Sequence, residues 1–473
     1  MSQSRTQGRP LMADRGVTVI TTPPPTPNGP LHLGHLSGPY LAADFAGRAA
    51  RARGERVVVT AGVDVSQNFI PRMADDMGLD VEQMMARYRA EILQAYHRGH
   101  IDYDIFVDPQ TPSYRRAVAG MLSDMVTRGM LPMRELTLHA CADCRRTLHH
   151  AYLAGTCAVC GNAANGGSCE GCGGFTSAET LVEPCCDRCG GAADPFAATV
   201  PVLCIEDFRE QLTAMWLRAE LPSRVRDLLA HYLTAGLPDV PLAYPTDWGI
   251  EGTGPLEGMR IDVYAELGLS WLYGVGRALD PAASTLDTCV AAWQREIGEL
   301  WQFLGIDNTF YFLIFNPAIL AAAGVEPLPL RGLVVNEFYA LDGAKFSTSR
   351  NHAIWAHEFL AQEDPAIVRL FLAWDRPDRR ATDFTLAAFE AFREHVRPLL
   401  YGRPNATPPL PAALAAAERA RGEQALELLT FDPALAARGL LSLLACGGEV
   451  GAILPALTAA QTRADASVRV EAA

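Results

Sequence analysis

The stretch GVTVITTPPPTPNGPLHLGH, residues 16–35, decides how this chain folds. Residues 16–22 are rich in β-branched side chains and predict a short buried strand. Residues 23–30 are turn punctuation, mostly proline with Asn28 and Gly29. Leu31-His32-Leu33-Gly34-His35 then opens a predicted helix that reaches about Arg53. His32 and His35 are three apart, so they share one face of the first turn. Gly34 between them allows a flat ring to lie against the backbone. Two imidazoles at a helix N-terminus predict an anion site.

A second signal lies some 310 residues downstream. Of the 40 basic Lys and Arg residues, one is lysine, Lys345. It sits in a small, polar loop: Gly343-Ala344-Lys345-Phe346-Ser347-Thr348-Ser349. A compact ammonium on a flexible stem suits phosphate clamping, and a guanidinium fork does not replace it freely. The bland alternative is a chance survivor on a solvated loop.

With these stretches, the chain resembles the class I aminoacyl-tRNA synthetases, and the methionyl enzymes most closely. The matching motifs are PNGPLHLGH (27–35), VTAGVD (59–64), the cysteine region (141–189) and GAKFSTSR (343–350), within roughly residues 17–390. The resemblance implies an α/β fold with a Rossmann-type parallel sheet, a zinc-knuckle insertion and a short C-terminal α-helical domain. It implies an ATP-dependent, AMP-forming ligase that joins an amino acid to AMP and releases pyrophosphate. His32, His35 and Lys345 become the expected catalytic residues. Asn28, Gly29, Gly34, Ser347 and Ser349 join them around ATP, with Mg²⁺ bridging the phosphates. Asp64, just past an apolar strand, matches the residue that takes the substrate's α-ammonium; its alternative is a strand-end cap.

Four C-x-x-C pairs, Cys141/Cys144, Cys157/Cys160, Cys169/Cys172 and Cys186/Cys189, predict two tetrahedral Zn²⁺ sites. With no open position evident, the zinc reads as structural, ordering an insertion too Gly-rich to build its own core. The resemblance pairs 157/160 with 169/172 and 141/144 with 186/189. Cys185 is a competitor for Cys186.

Departures from the methionyl pattern cluster in the amino-acid pocket. Pro24 and Thr26 stand where that branch has leucine and tyrosine. Tyr264-Ala265-Glu266-Leu267-Gly268, then Trp271, replaces its aromatic-x-Asp-Ala-Pro segment. Phe312 replaces a histidine, Ile306 a lysine in a Gly-x-Asp segment, and Thr348 the second lysine of the signature loop. Pro24, Thr26, Asp64, Tyr264, Trp271 and Phe312 are therefore the expected amino-acid pocket, rewritten away from a thioether.

Composition bounds the rest. No run of eighteen apolar residues exists, so no spanning helix or membrane role is expected. Twelve cysteines without an apolar leader point to a cytoplasmic metal protein. A net charge of −14 argues against a broad nucleic-acid footprint. The expected organisation is a disordered N-terminus (1–16), a first sheet half (17–110), a connective insertion (111–245), a second sheet half (246–355), a helical linker (356–390) and a short helical tail (391–473). The first half includes a strand at 56–61 and a helix at 81–98; the second includes apolar runs at 310–315 and 333–335. The tail lacks tryptophan, and its one asparagine, Asn405, lies in a Pro-rich turn, so no anticodon reader is evident. Three functions follow. The first is a ligase passing the aminoacyl group to a small amine or hydroxylamine without tRNA. It is similar to the synthetase-like domains of hydrazine biosynthesis and would need a separate cupin partner protein. The second is a methionyl-type enzyme charging tRNA. The third is an inactive regulatory paralogue.

Overall fold

The structure, a computed structural model, describes residues 16–346, 352–378, 380–402 and 408–459. Residues 1–15 of the expected disordered N-terminus, Ser347, Thr348, Ser349 and Asn405 lie outside the described residues.

The core is a five-stranded sheet. Its strands are β1 (Val17–Thr21), β2 (Val57–Gly62), β3 (Ile105–Val107), β4 (Ile297–Gly305) and β5 (Leu330–Asn336). The order is β5-β4-β1-β2-β3, and every neighbouring pair is parallel. Alternation divides the strands between two cores. Leu300 and Leu304 of β4 face one apolar layer, Trp301 and Phe303 the other. Both faces are covered, as a parallel sheet requires. The strand order reverses between β1 and β4, and the crevice outside the carboxyl ends at such a point is where ligands bind in these sheets.

The segment after β1 departs from the expected continuous helix. One turn, Leu33–His35, gives way to a wider π turn, Leu36–Tyr40, before helix α1 (Leu41–Ala52). Pro39 brings no N–H, and Gly38 takes a non-helical ψ of −112°. A Cβ on Gly38 would lie 2.9 Å from the Asn336 side chain, so the break seats this segment on the end of β5. Helix α2 (Val81–Arg98) follows the sequence reading and is capped by Asp80, which accepts from the Gln83 N–H at 2.9 Å. The run 310–315 is not a sheet strand: Tyr311–Phe315 is a π turn leading into a helix at Asn316–Ala322. Six apolar residues fit either state, and the sheet is completed instead by β4 and β5.

Between β3 and β4 lies the cysteine region, carried on an antiparallel pair of strands, Met133–Cys141 and Ala193–Cys204. Its own apolar cluster is small, centred on Leu148, Tyr152, Leu153 and Leu181. Helices dominate after residue 355. Arg369 of the helix Pro365–Trp374 is fully buried (0 % exposed). It pairs with Asp44 of α1 at 2.6 Å and donates to the carbonyls of Gly99, His100, Ala456 and Leu457. Among the described residues no helix is long and apolar enough to cross a membrane.

Candidate active site

His32 and His35 follow the proline turn after β1 and lock each other in place. The His35 N–H donates to His32 Nδ1 (3.3 Å), and the His32 N–H donates to His35 Nδ1 (3.2 Å). The rings stack at 3.7 Å. Both Nδ1 atoms accept, so in each neutral ring the proton is on Nε2. Burial, then His35 and Lys345, holds His32 well below the usual histidine range; burial, then Lys345, brings His35 down to about 4. The expected anion site is thus changed in character. The helical turn has only three residues, so the macrodipole offers little, and the pair presents two neutral N–H donors rather than two charges.

Lys345 lies on a hairpin rather than a free loop. Strand Tyr339–Leu341 turns at Asp342-Gly343, both at positive φ (49° and 80°), into Ala344–Lys345. An Asp-Gly pair with two positive φ values is the residue choice of a tight hairpin turn. Phe346 then stacks on His32 at 4.8 Å, and a Cβ on Gly34 would lie 3.0 Å from His32 Nδ1 and 3.5 Å from Phe346. The tight distance is to His32, so Gly34 leaves room for that ring to lie against the turn. The Lys345 ammonium lies 4.1 Å over the Phe338 ring and 2.6 Å from Glu170 Oε2.

Asp64 is buried past the end of β2. Its N–H donates to Pro25 O (3.0 Å), next to Pro24. Its carboxylate accepts from Thr26 Oγ1 (3.3 Å) and the Gln67 N–H (3.2 Å). Burial, then the nearby Glu266, pushes Asp64 well above the ordinary carboxylate range. Glu266 accepts from the Tyr114 hydroxyl at 3.2 Å and is pushed by burial up to about 7. Tyr264 stacks on Tyr311 with centroids 3.3 Å apart, and Trp271 meets Phe312 edge-on at 4.9 Å. The turn bearing Thr26, the end of β2 and the helix α3 (Val263–Leu279) thus bring Thr26, Asp64 and the Glu266 region together.

The cysteines assemble into two groups: Cys141, Cys144, Cys186 and Cys189, and Cys157, Cys160, Cys169 and Cys172. Cys185 belongs to neither. Sulfurs about 2.3 Å from a tetrahedral zinc lie roughly 3.8 Å from one another. The close pairs fit that spacing: 3.4 Å (Cys141 to Cys189), 3.9 Å (Cys144 to Cys186), 3.9 Å (Cys157 to Cys172) and 3.5 Å (Cys160 to Cys169). The second group rests on the 305–310 segment, where the Phe310 N–H donates to Gly173 O at 3.3 Å.

A family model described as tRNA synthetases class I (M) matches residues 18–395. The chain belongs to this family. Its members are ATP-dependent ligases, the enzyme class that the motifs imply. The chain is 29 % identical over 378 residues to a methionine–tRNA ligase of Thermomicrobium roseum, spanning 77 % of this chain and 63 % of that one. It is 29 % identical over 394 residues to the Pyrococcus furiosus methionine–tRNA ligase, covering 79 % and 53 %. It therefore spans less than two thirds of these relatives' length. Mycobacterium tuberculosis methionyl-tRNA synthetase in complex with methionyl-adenylate shares the fold at a TM-score of 0.65 and 17 % identity, over 91 % of this chain and 82 % of that one.

Within this synthetase fold, several polar residues escaped the sequence reading. His150 pairs with Asp262 across 112 positions at 2.5 Å, and Asp262 also caps α3. His150 has a positive φ (47°), a strained backbone for a side chain of this kind. Glu170, inside a cysteine pair, reaches Lys345. Asn316 lies buried beyond the aromatic run. No local pattern marks these residues; each acquires its neighbours only on folding.

Proposed function

We propose that this chain activates an amino acid with ATP, forming an aminoacyl-adenylate. The observation that carries this is the His32–His35 pair, two neutral donors joined through Phe346 to the strand bearing Lys345. The Nε2–H groups face the charge that develops as the α-phosphate is attacked. Lys345 closes on the outer phosphates, with Asn28, Gly29, Gly34, Ser347 and Ser349 around the nucleotide. A bound Mg²⁺ would supply further neutralising charge to those phosphates. Asp64 takes the α-ammonium, which supplies the positive charge its buried site lacks. The substrate carboxylate oxygen then bonds to the α-phosphorus, the bond to the β-phosphate oxygen breaks, and pyrophosphate leaves; no protein nucleophile is needed. Zinc held by the two cysteine groups has a structural role. The enzyme works in the cytoplasm.

The acceptor that the relatives support is tRNA. A second reading, transfer to a small amine or hydroxylamine with a separate cupin partner, is favoured by the acidic balance (net charge −14) and by a tail, residues 391–473, that carries no tryptophan and one asparagine, Asn405. The test of activation is ATP–pyrophosphate exchange with each common amino acid; no exchange with any of them overturns the proposal. To choose the acceptor, ATP and the activated amino acid are supplied with total tRNA or with a panel of amines and hydroxylamines, and product is identified by mass. Charged tRNA alone supports the first reading, and a small conjugate alone the second.

A further inference from the structure

We infer that the amino acid this chain activates has a neutral polar side chain, read by the carboxamide of Asn316. The inference rests on the proposed activation reaction and does not depend on the acceptor.

Helix α3 presents Tyr264, Gly268 and Trp271 at positions i, i+4 and i+7, hence on one face. The π turn and the helix after it supply the opposite wall. Tyr311 lies flat on Tyr264, Phe312 meets Trp271, and Asn316 comes next to Gly268. A Cβ on Gly268 would lie 3.3 Å from Asn316 Oδ1 and 3.2 Å from Ile319 Cγ2. The amide therefore lies against Gly268, among rings and aliphatic carbon.

Asn316 is 1 % exposed, and among the described residues neither Oδ1 nor Nδ2 has a hydrogen-bond partner. Nearly every buried amide is paired, because an unpaired one keeps its full desolvation penalty. An aliphatic side chain would fit this wall without that penalty. The polar group of a ligand would complete this amide. Asn316 offers two donors and one acceptor, which match a carboxamide or a hydroxyl. Charge narrows the choice further. The buried Asp64 carboxyl already lies near Tyr264 on this wall, so an acidic side chain is disfavoured. Asparagine, glutamine, serine and threonine carry the carboxamide or hydroxyl that Asn316 matches.

The test uses isosteric pairs in ATP–pyrophosphate exchange with the full chain: asparagine against leucine, glutamine against methionine, threonine against valine. A site built to bond a polar group discriminates strongly against an isostere lacking it, so the preferred polar member should lead its partner by about 10²-fold or more in kcat/KM. Asn316→Leu should cut that ratio by at least about tenfold, and the ratio is insensitive to a general loss of active protein. Asn316→Asp keeps the side-chain volume and removes the amide donors; it should lower the same ratio even if the leucine variant folds poorly. Apolar members winning all three pairs, or a ratio unchanged in both variants, overturns the inference while leaving activation standing. Absence of exchange with all six amino acids removes the activation reading and this inference with it.

Discussion

Glu170→Gln should strengthen ATP binding, by an amount the geometry bounds. The Lys345 ammonium is held 2.6 Å from Glu170 Oε2, on the turn between Cys169 and Cys172. To clamp a triphosphate the lysine must leave that carboxylate. Their side chains are 39 % and 72 % exposed, so the pair belongs with surface ion pairs, worth about 0.2–1 kcal/mol. Removing it should therefore lower the KM for ATP by about 1.4- to 5-fold. The gain should shrink as salt rises to roughly 0.5 M, because exposed pairs are screened. Lys345→Ala alone should slow exchange by about 10²–10³-fold, the scale for losing one transition-state charge contact. In that background Glu170→Gln should do nothing, since the partner is gone. The assay is ATP–pyrophosphate exchange across an ATP titration at two salt concentrations, with zinc content as a check on the knuckle. A higher KM in Glu170→Gln, or an equal gain in the Lys345→Ala background, would show that Glu170 does not restrain the lysine.

Three further outcomes are expected. Elemental analysis should find about two zinc ions per chain, one for each cysteine group; Cys157→Ser should lose one and make the insertion protease-sensitive while the sheet persists. Arg369→Met leaves Asp44 buried without its interior partner and should cost about 3–5 kcal/mol in urea unfolding, with Asp44→Asn in the same chain restoring part; a change under about 1 kcal/mol would contradict the buried pair. Glu266, pushed from 4.5 to about 7, keeps its proton in the folded chain after the unfolded chain has lost it. Its stabilisation is complete below 4.5 and is lost as pH rises through about 7. Between pH 4.5 and about pH 8, wild type should lose on the order of 3 kcal/mol relative to Glu266→Gln; parallel melting curves across that range would refute the assignment.

Local chemistry made the main parts legible. A strand, a proline turn and His-x-Gly-His are adjacent in sequence, and so are the members of each C-x-x-C pair. Lys345 stood out by composition alone. What stayed hidden depended on distance or on competing local preferences. Pro39, eight residues past Leu31 in the expected helix, was the visible warning of the break at Gly38, but only Asn336 on β5 explains why the chain turns there. The run 310–315 carries no periodicity that separates strand from helix, so the π turn that aims Tyr311 at Tyr264 could not be read. Glu170 and Lys345 are 175 positions apart, and Asp44 and Arg369 are 325 apart. Such pairs leave no trace in spacing.

The arginine at 369 also bears on the order in which the molecule is made. Domains generally fold from the N-terminus as they leave the ribosome. Asp44 is emplaced in α1 long before Arg369 is synthesised, and the carbonyls of Ala456 and Leu457 come later still. In that interval the carboxylate has an interim neighbour one helical turn away: Arg48, whose Nε lies 2.8 Å from it and which also reaches Asp102 at 2.5 Å. A nascent chain can thus hold Asp44 at the surface, bound to Arg48, until the late helices arrive and enclose it. Arg48→Ala should then cut the yield of folded protein during translation more than it lowers the stability of the finished chain.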